Sequence, residues 1–212
     1  MKLFPALAVA GIMLAGCGPK EIALPADPID KAATCGVVAA ANARAGTKDL
    51  KAELTLDQQG QILHYALLAG EDGETFSQDR VTKVVERMPV LEGDITGGKW
   101  QPLVAQCAAA FPQTKVADVT LPADPLEAQT GCYVLGQFMA KALAAQANLY
   151  TDKLTEYGAM NRKLDTRIGS GFRRQGVAQG DEAQAARKDA LGEAAKLGPP
   201  ARVMQACLDK YA

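Results

Sequence analysis

The chain reads as an all-α protein built of two tandem related helical modules, each clipped by one disulfide. Three observations predict this. Aromatic residues make up 5% of the chain and alanine is abundant. With β-branched runs also few, that composition favours helices over sheets. Apolar side chains recur at steps of three and four over long stretches, which is the helical period. The body of the chain is also written twice, with cysteines at matching places.

The duplication is legible residue by residue. Leu24-Pro25-Ala26-Asp27-Pro28-Ile29-Asp30 recurs as Leu121-Pro122-Ala123-Asp124-Pro125-Leu126-Glu127, and a cysteine follows each first Leu after eleven residues, Cys35 and Cys132. Each copy ends on an apolar helix with a second cysteine, LVAQCAAAF around Cys107 and VMQACLDKY around Cys207. With Cys17 set aside, four cysteines remain, and four allow three connectivities. Spacing alone does not choose among them. The duplication does: if each copy folds as a unit, the pairs are Cys35–Cys107 and Cys132–Cys207. A zinc site is the poorer reading, because the cysteines lie far apart in sequence and the chain has a single histidine. A unit of this size, poor in aromatics, buries only about 60–65% of its unfolded surface and needs a staple.

Taken in order, the first helix starts at Pro28, a residue suited to a first turn, with Asp27 as N-cap; Pro125 and Asp124 repeat this in the second copy. In the first copy the pattern breaks at Gly46, resumes from Leu54 through Ile62, Leu63, Tyr65 and Leu67, and stops at Gly70. A third helix is expected over 77–88, closed by Pro89, and the last begins near Lys99. In the second copy the period runs from Cys132 to Ile168, with Gly136 and Gly158 as weak points or bends. Its third helix is expected over 181–197, ended by Gly198-Pro199, and its last starts at Pro200. A short linker, 112–120, joins the copies. Residues 169–180, GSGFRRQGVAQG, are expected to be a glycine-rich mobile loop. The modules therefore span 28–112 and 121–212, and whether they pack together is left open by the sequence.

The N-terminus carries an address. Lys2 precedes an apolar run from Leu3 to Leu14, too short for a span of about 20 residues but suited to an export signal. The end of the run, Leu14-Ala15-Gly16-Cys17, resembles the bacterial lipobox. That resemblance implies a signal peptide over 1–16, cleavage before Cys17, and lipidation of Cys17 with diacylglyceryl and N-acyl (palmitate-type) chains. It also implies a tether over 17–27 and a place in the cell envelope, facing the periplasm. Gly18 is not the Asp that favours inner-membrane retention in enteric lipoproteins, which points to the outer membrane. Export favours oxidised cysteines. The pattern of one Cys on a first helix and one on a last is similar to that of small disulfide-clipped helical periplasmic proteins such as the acid-stress chaperone HdeA. No activity transfers on such a likeness.

Charge and motifs narrow the function without fixing it. The net charge is −1, which gives no reason to expect a nucleic-acid partner. Gly93-Asp94-Ile95-Thr96-Gly97-Gly98-Lys99 matches seven positions of a phosphate-binding loop, but Trp100 stands where the hydroxyl residue belongs. It reads as a glycine turn before the last helix. His64 lies inside a helical apolar stretch with no metal-ligand cluster around it, so it reads as structural. Glu71, Asp72 and Glu74 read as a solvated acidic turn, since their spacing fails the calcium-loop pattern. Ser77 and Ser170 lack a nucleophile-elbow context. No cofactor or metal site is legible. The remaining feature is a basic run, Arg162, Lys163, Arg167, Arg173 and Arg174, with Asp165 the one acid inside it. It is the candidate for contact with an anionic envelope polymer or headgroup. The reading is a non-enzymatic, lipid-anchored binding or scaffolding protein whose partner is the membrane plus an envelope polymer or protein. An inhibitor or immunity-type protein against an envelope-directed lytic enzyme is the alternative, and a hydrolase is a third class.

Overall fold

A computed structural model describes residues 22–47, 52–71, 73, 75–177 and 179–212. Cys17 and the segment before it, and the acidic-turn residues Asp72 and Glu74, lie outside the described residues. Among the described residues the protein is all α, with no β-strand. The first copy contains α1 (Pro28–Arg44), α2 (Leu56–Glu71), α3 (Gln78–Thr96) and α4 (Leu103–Ala110). A short 3-10 turn at Pro112–Lys115 leads to the second copy: α5 (Pro125–Ala142), α6 (Thr151–Arg174), α7 (Asp181–Lys196) and α8 (Pro200–Tyr211).

The two copies repeat one local plan. Asp27 and Asp124 cap their helices, accepting hydrogen bonds from the backbone N–H of Asp30 at 2.9 Å and of Glu127 at 2.8 Å. In the first copy α1 packs on α2 and α3 and is tied to α4; in the second α5 packs on α6 and α7 and is tied to α8. The ties are the disulfides Cys35–Cys107 and Cys132–Cys207, with Cα–Cα distances of 5.5 and 5.6 Å. Both are within copies, as the duplication predicts. Each closes a loop worth about 4 kcal/mol in the chain-entropy model.

Three boundaries differ from the sequence expectation for packing reasons, and the last helix of the first copy starts at Leu103 rather than near Lys99. Pro89 does not end α3. It sits on the exposed side, and the residue whose carbonyl it leaves without a helical partner, Val85, is 41% exposed. Water can take that carbonyl, while buried Val84 and Ile95 hold the helix to the core on either side. Gly169 and Gly171 are helical, not loop: α6 continues to Arg174. A Cβ on Gly171 would collide with the Leu126 side chain, so this glycine serves close approach of α6 to α5. The true loop glycines are Gly176 and Gly180, with φ of 76° and 89°. The period from Cys132 to Ile168 is not one helix. It breaks at a 3-10 segment, Ala144–Leu149, where the Tyr150 hydroxyl turns inward and donates to Leu54 O at 2.6 Å. The start of α2 is a reciprocal cap. Thr55 N–H donates to Gln58 Oε1 at 2.8 Å and Gln58 N–H to Thr55 Oγ1 at 3.3 Å.

The copies share one hydrophobic core. Besides its own α1 and α3, α2 packs against α7 and α8 of the other copy. Two glycines allow this. A Cβ on Gly60 would stand 3.2 Å from both Cβ and N of Ala201 on α8, and one on Gly192 of α7 would collide with the Glu71 carboxylate. Polar links cross the same junction: Glu71 pairs with Lys196 at 2.6 Å, and Gln59 Nε2 donates to Gln146 Oε1 at 2.9 Å.

The copies use their disulfides unequally. α4 has eight residues, no side-chain N-cap, and only Leu103 and Cys107 buried. α8 buries Val203, Met204 and Leu208 as well as its cysteine, and packs on α2, α5 and α6. Replacing Cys35 and Cys107 by Ala is therefore expected to cost about 2–5 kcal/mol in urea unfolding and to accelerate amide exchange along α4. Replacing Cys132 and Cys207 should leave α8 protected. Protection of α4 that survives the loss of its disulfide contradicts this account.

Candidate anionic-ligand surface

The basic run of the sequence becomes one face of one helix. α6 is a continuous helix of 24 residues, held down by Tyr157, Met160, Leu164, Ile168 and Phe172, all buried. Those positions recur at the helical period and leave the opposite side to solvent. Arg162, Lys163, Arg167, Arg173 and Arg174 are all exposed there. At 100° per residue they fall within about 140° of the helical wheel, over about 18 Å of axis. None of the five forms an ion pair among the described residues.

The acid within the run stands at one edge of this face, its side chain 60% exposed. Asp165 lies on the flank facing α5 and α7, 4.0 Å from Arg187 and hydrogen-bonded with the Tyr133 phenol. Burial, then Asp165 itself, raises the Tyr133 pKa above its ordinary value. The acids on the solvent side, Asp152 and Glu156, belong to the opposite end of α6, and Glu156 is paired with Lys153 at 2.7 Å. The helix dipole accounts for cations in a last turn. Only Arg173 and Arg174 stand there; Arg162, Lys163 and Arg167 lie farther in.

The corresponding helix of the first copy has no such face. α2 has sixteen residues, against twenty-four in α6, and gives its outward side to α7 and α8. Glu71, read from sequence as a solvated acid, is partly buried in its pair with Lys196, at 16% side-chain exposure.

The other motifs resolve as structure. Gly93 to Thr96 lie inside α3, so their N–H groups are committed to the helix, and Gly97-Gly98 form the turn before half-buried Trp100. Ser77 caps α3, accepting from Arg80 N–H at 3.3 Å. No group of three or more metal-ligating side chains gathers among the described residues, and none of their helices is long and apolar enough to cross a membrane. A cleft of about 560 Å³ is lined by Lys31, Glu71 and Lys196, but the last two already pair with each other.

His64 is fully buried at the junction, and its Nε2 lies 2.7 Å from the Ala195 carbonyl. That carbonyl belongs to the last turn of α7, where intrahelical donors run out. The bond requires a proton on Nε2, leaving Nδ1 buried with no partner. Burial outweighs the bond to Ala195 and brings the His64 pKa from 6.5 down to about 4. The neighbouring Lys196 is itself a cation, occupied by Glu71 and Glu193.

No protein-family model, curated protein or solved structure matches this chain.

The His64 geometry sets a pH dependence. The unfolded chain protonates near 6.5 while the folded one stays neutral to about 4, so the unfolded state binds more protons in that window. The contribution of His64 is full above pH 6.5 and falls by about 3 kcal/mol as pH drops to about 4. Urea unfolding of the wild type and His64→Gln across this range should show the difference, the variant having the flatter profile. Parallel profiles contradict a neutral, buried His64.

Proposed function

We propose that this chain is a lipid-anchored binding or scaffolding protein of the cell envelope, facing the periplasm from the outer membrane. It holds an anionic envelope polymer on the exposed face of α6. The observation that carries the reading is the placement of five cations on one side of a single helix, without an ion pair among the described residues. Unpaired exposed cations confined to one face attract an extended anion, and the attraction is screened over about 8–10 Å at physiological salt. The lipobox at Leu14-Ala15-Gly16-Cys17 supports the anchor. Two or more acyl chains hold a protein on a membrane where one binds only marginally. An anchored protein with a polymer-binding face would link the membrane to that polymer.

The test uses the full chain, because α2 needs both copies to be buried. Made in a bacterial host, the wild type should partition into detergent and carry acyl mass, and Cys17→Ala should lose both. The detergent-purified protein should co-sediment with peptidoglycan or lipopolysaccharide at low salt and be released as salt rises. Arg173→Glu combined with Arg174→Glu should remove that binding without loss of helicity by circular dichroism. A wild type that binds neither polymer at low salt overturns the polymer-binding role. An unmodified Cys17 overturns the anchor.

A further inference from the structure

The cations of α6 fall into two copies of one short pattern. Gly158-Ala159-Met160-Asn161-Arg162-Lys163 and Gly169-Ser170-Gly171-Phe172-Arg173-Arg174 both read as a glycine, three residues and two cations, eleven positions apart. Eleven residues are close to three turns of α-helix. The second pair therefore sits only about 20° round from the first and about 16 Å farther along the axis.

The two patterns also look alike in space. The Arg162 guanidinium lies over Gly158 and that of Arg173 over Gly169, each with Nη1 3.7 Å from where a Cβ would stand. Side chains on a helix lean toward its N-terminus, so both arginines run back along the axis over a bare glycine. They form one row. Lys163, Arg167 and Arg174 form a second row about 100–140° round the wheel from Arg162. Between the rows lie Ala159, Thr166 and Ser170, all small. Ser170 Oγ accepts from Arg173 Nη2 at 3.1 Å, which fixes one arginine against these small residues. Arg167 stands between the two pairs along the axis. The result is a strip of small residues parallel to α6, flanked on both sides by cations.

We infer that α6 grips a linear polyanion lying along its axis, through two equivalent cation pairs, Arg162–Lys163 and Arg173–Arg174, set three turns apart. This rests on the reading that the basic face takes an anionic polymer, and adds what kind: an unbranched chain with oxyanion groups along its length, reaching both pairs at once. Four of the five cations are arginines, whose planar fork suits phosphate and carboxylate oxygens. Engaging one pair raises the effective concentration of the chain at the other, so length itself contributes to binding. A membrane surface fits less well. This strip carries no exposed large apolar side chain; those among the described residues are Val85 and Val90 on α3 and Leu149 before α6.

The experiment compares inorganic triphosphate, too short to bridge the pairs, with long-chain inorganic polyphosphate, binding the full chain in detergent at low salt. Polyphosphate is expected to bind at least about 100-fold tighter per phosphate. Changing either pair to glutamine (Arg162→Gln with Lys163→Gln, or Arg173→Gln with Arg174→Gln) should remove most of that advantage. The same change should weaken triphosphate only about two-fold, because one of two equal sites remains. Equal affinity per phosphate for the two probes overturns the two-pair grip while leaving an anion-binding face intact. So does a length advantage that survives loss of one pair. Binding to phosphatidylglycerol vesicles with none to polyphosphate replaces the polymer with a lipid surface. No binding to any of the three overturns the anionic-ligand reading as well.

Discussion

The structure depends on the burial of α2 from two sides. Each copy is a small helix set, poor in aromatics, that buries a modest share of its surface by itself. α2 serves both copies, packing on α1 and α3 inward and on α7 and α8 outward. It is adapted to that place. Gly60 and Gly192 remove side chains that would meet Ala201 and Glu71 across the junction, and His64 supplies a donor to a carbonyl at the end of α7. The disulfides then act within copies, fixing α4 to α1 and α8 to α5. Their work is local, and the junction makes one body of two halves.

Much of the fold is legible in the sequence, because it is written in signals that local chemistry controls. Asp27 and Asp124 cap where Pro28 and Pro125 predict a first turn, and the cysteine pairing follows from matched spacing. What the sequence hides is mostly tertiary. Pro89 reads as a stop, yet α3 passes through it because its unpartnered side faces water. Gly169 and Gly171 read as a flexible loop, yet α6 uses Gly171 to approach Leu126. Glycine in sequence does not say whether it serves freedom or closeness. The junction leaves no sequence pattern at all, since Glu71, Lys196, His64 and Ala195 meet only in space.

The candidate surface is partly legible too. The five cations are plain in the sequence, but placing them beside a supposed loop obscures their alignment. Once α6 is seen to run to Arg174, the spacing of eleven becomes a repeat on one face, with Asp165 at its edge beside Arg187 and Tyr133. The duplication gives this meaning. α2 and α6 occupy equivalent places in the two copies. α2 gives its outward side to the junction; α6 keeps that side free, is eight residues longer and carries the charge.

The claim that the copies form a single cooperative body is tested most directly by differential scanning calorimetry of the oxidised chain. A shared core predicts one transition, with the calorimetric enthalpy equal to the van't Hoff enthalpy. Two separable transitions, or a van't Hoff enthalpy near half the total calorimetric value, do not arise from it. Two transitions in particular, assignable to residues before and after the 112–120 linker, would contradict the account.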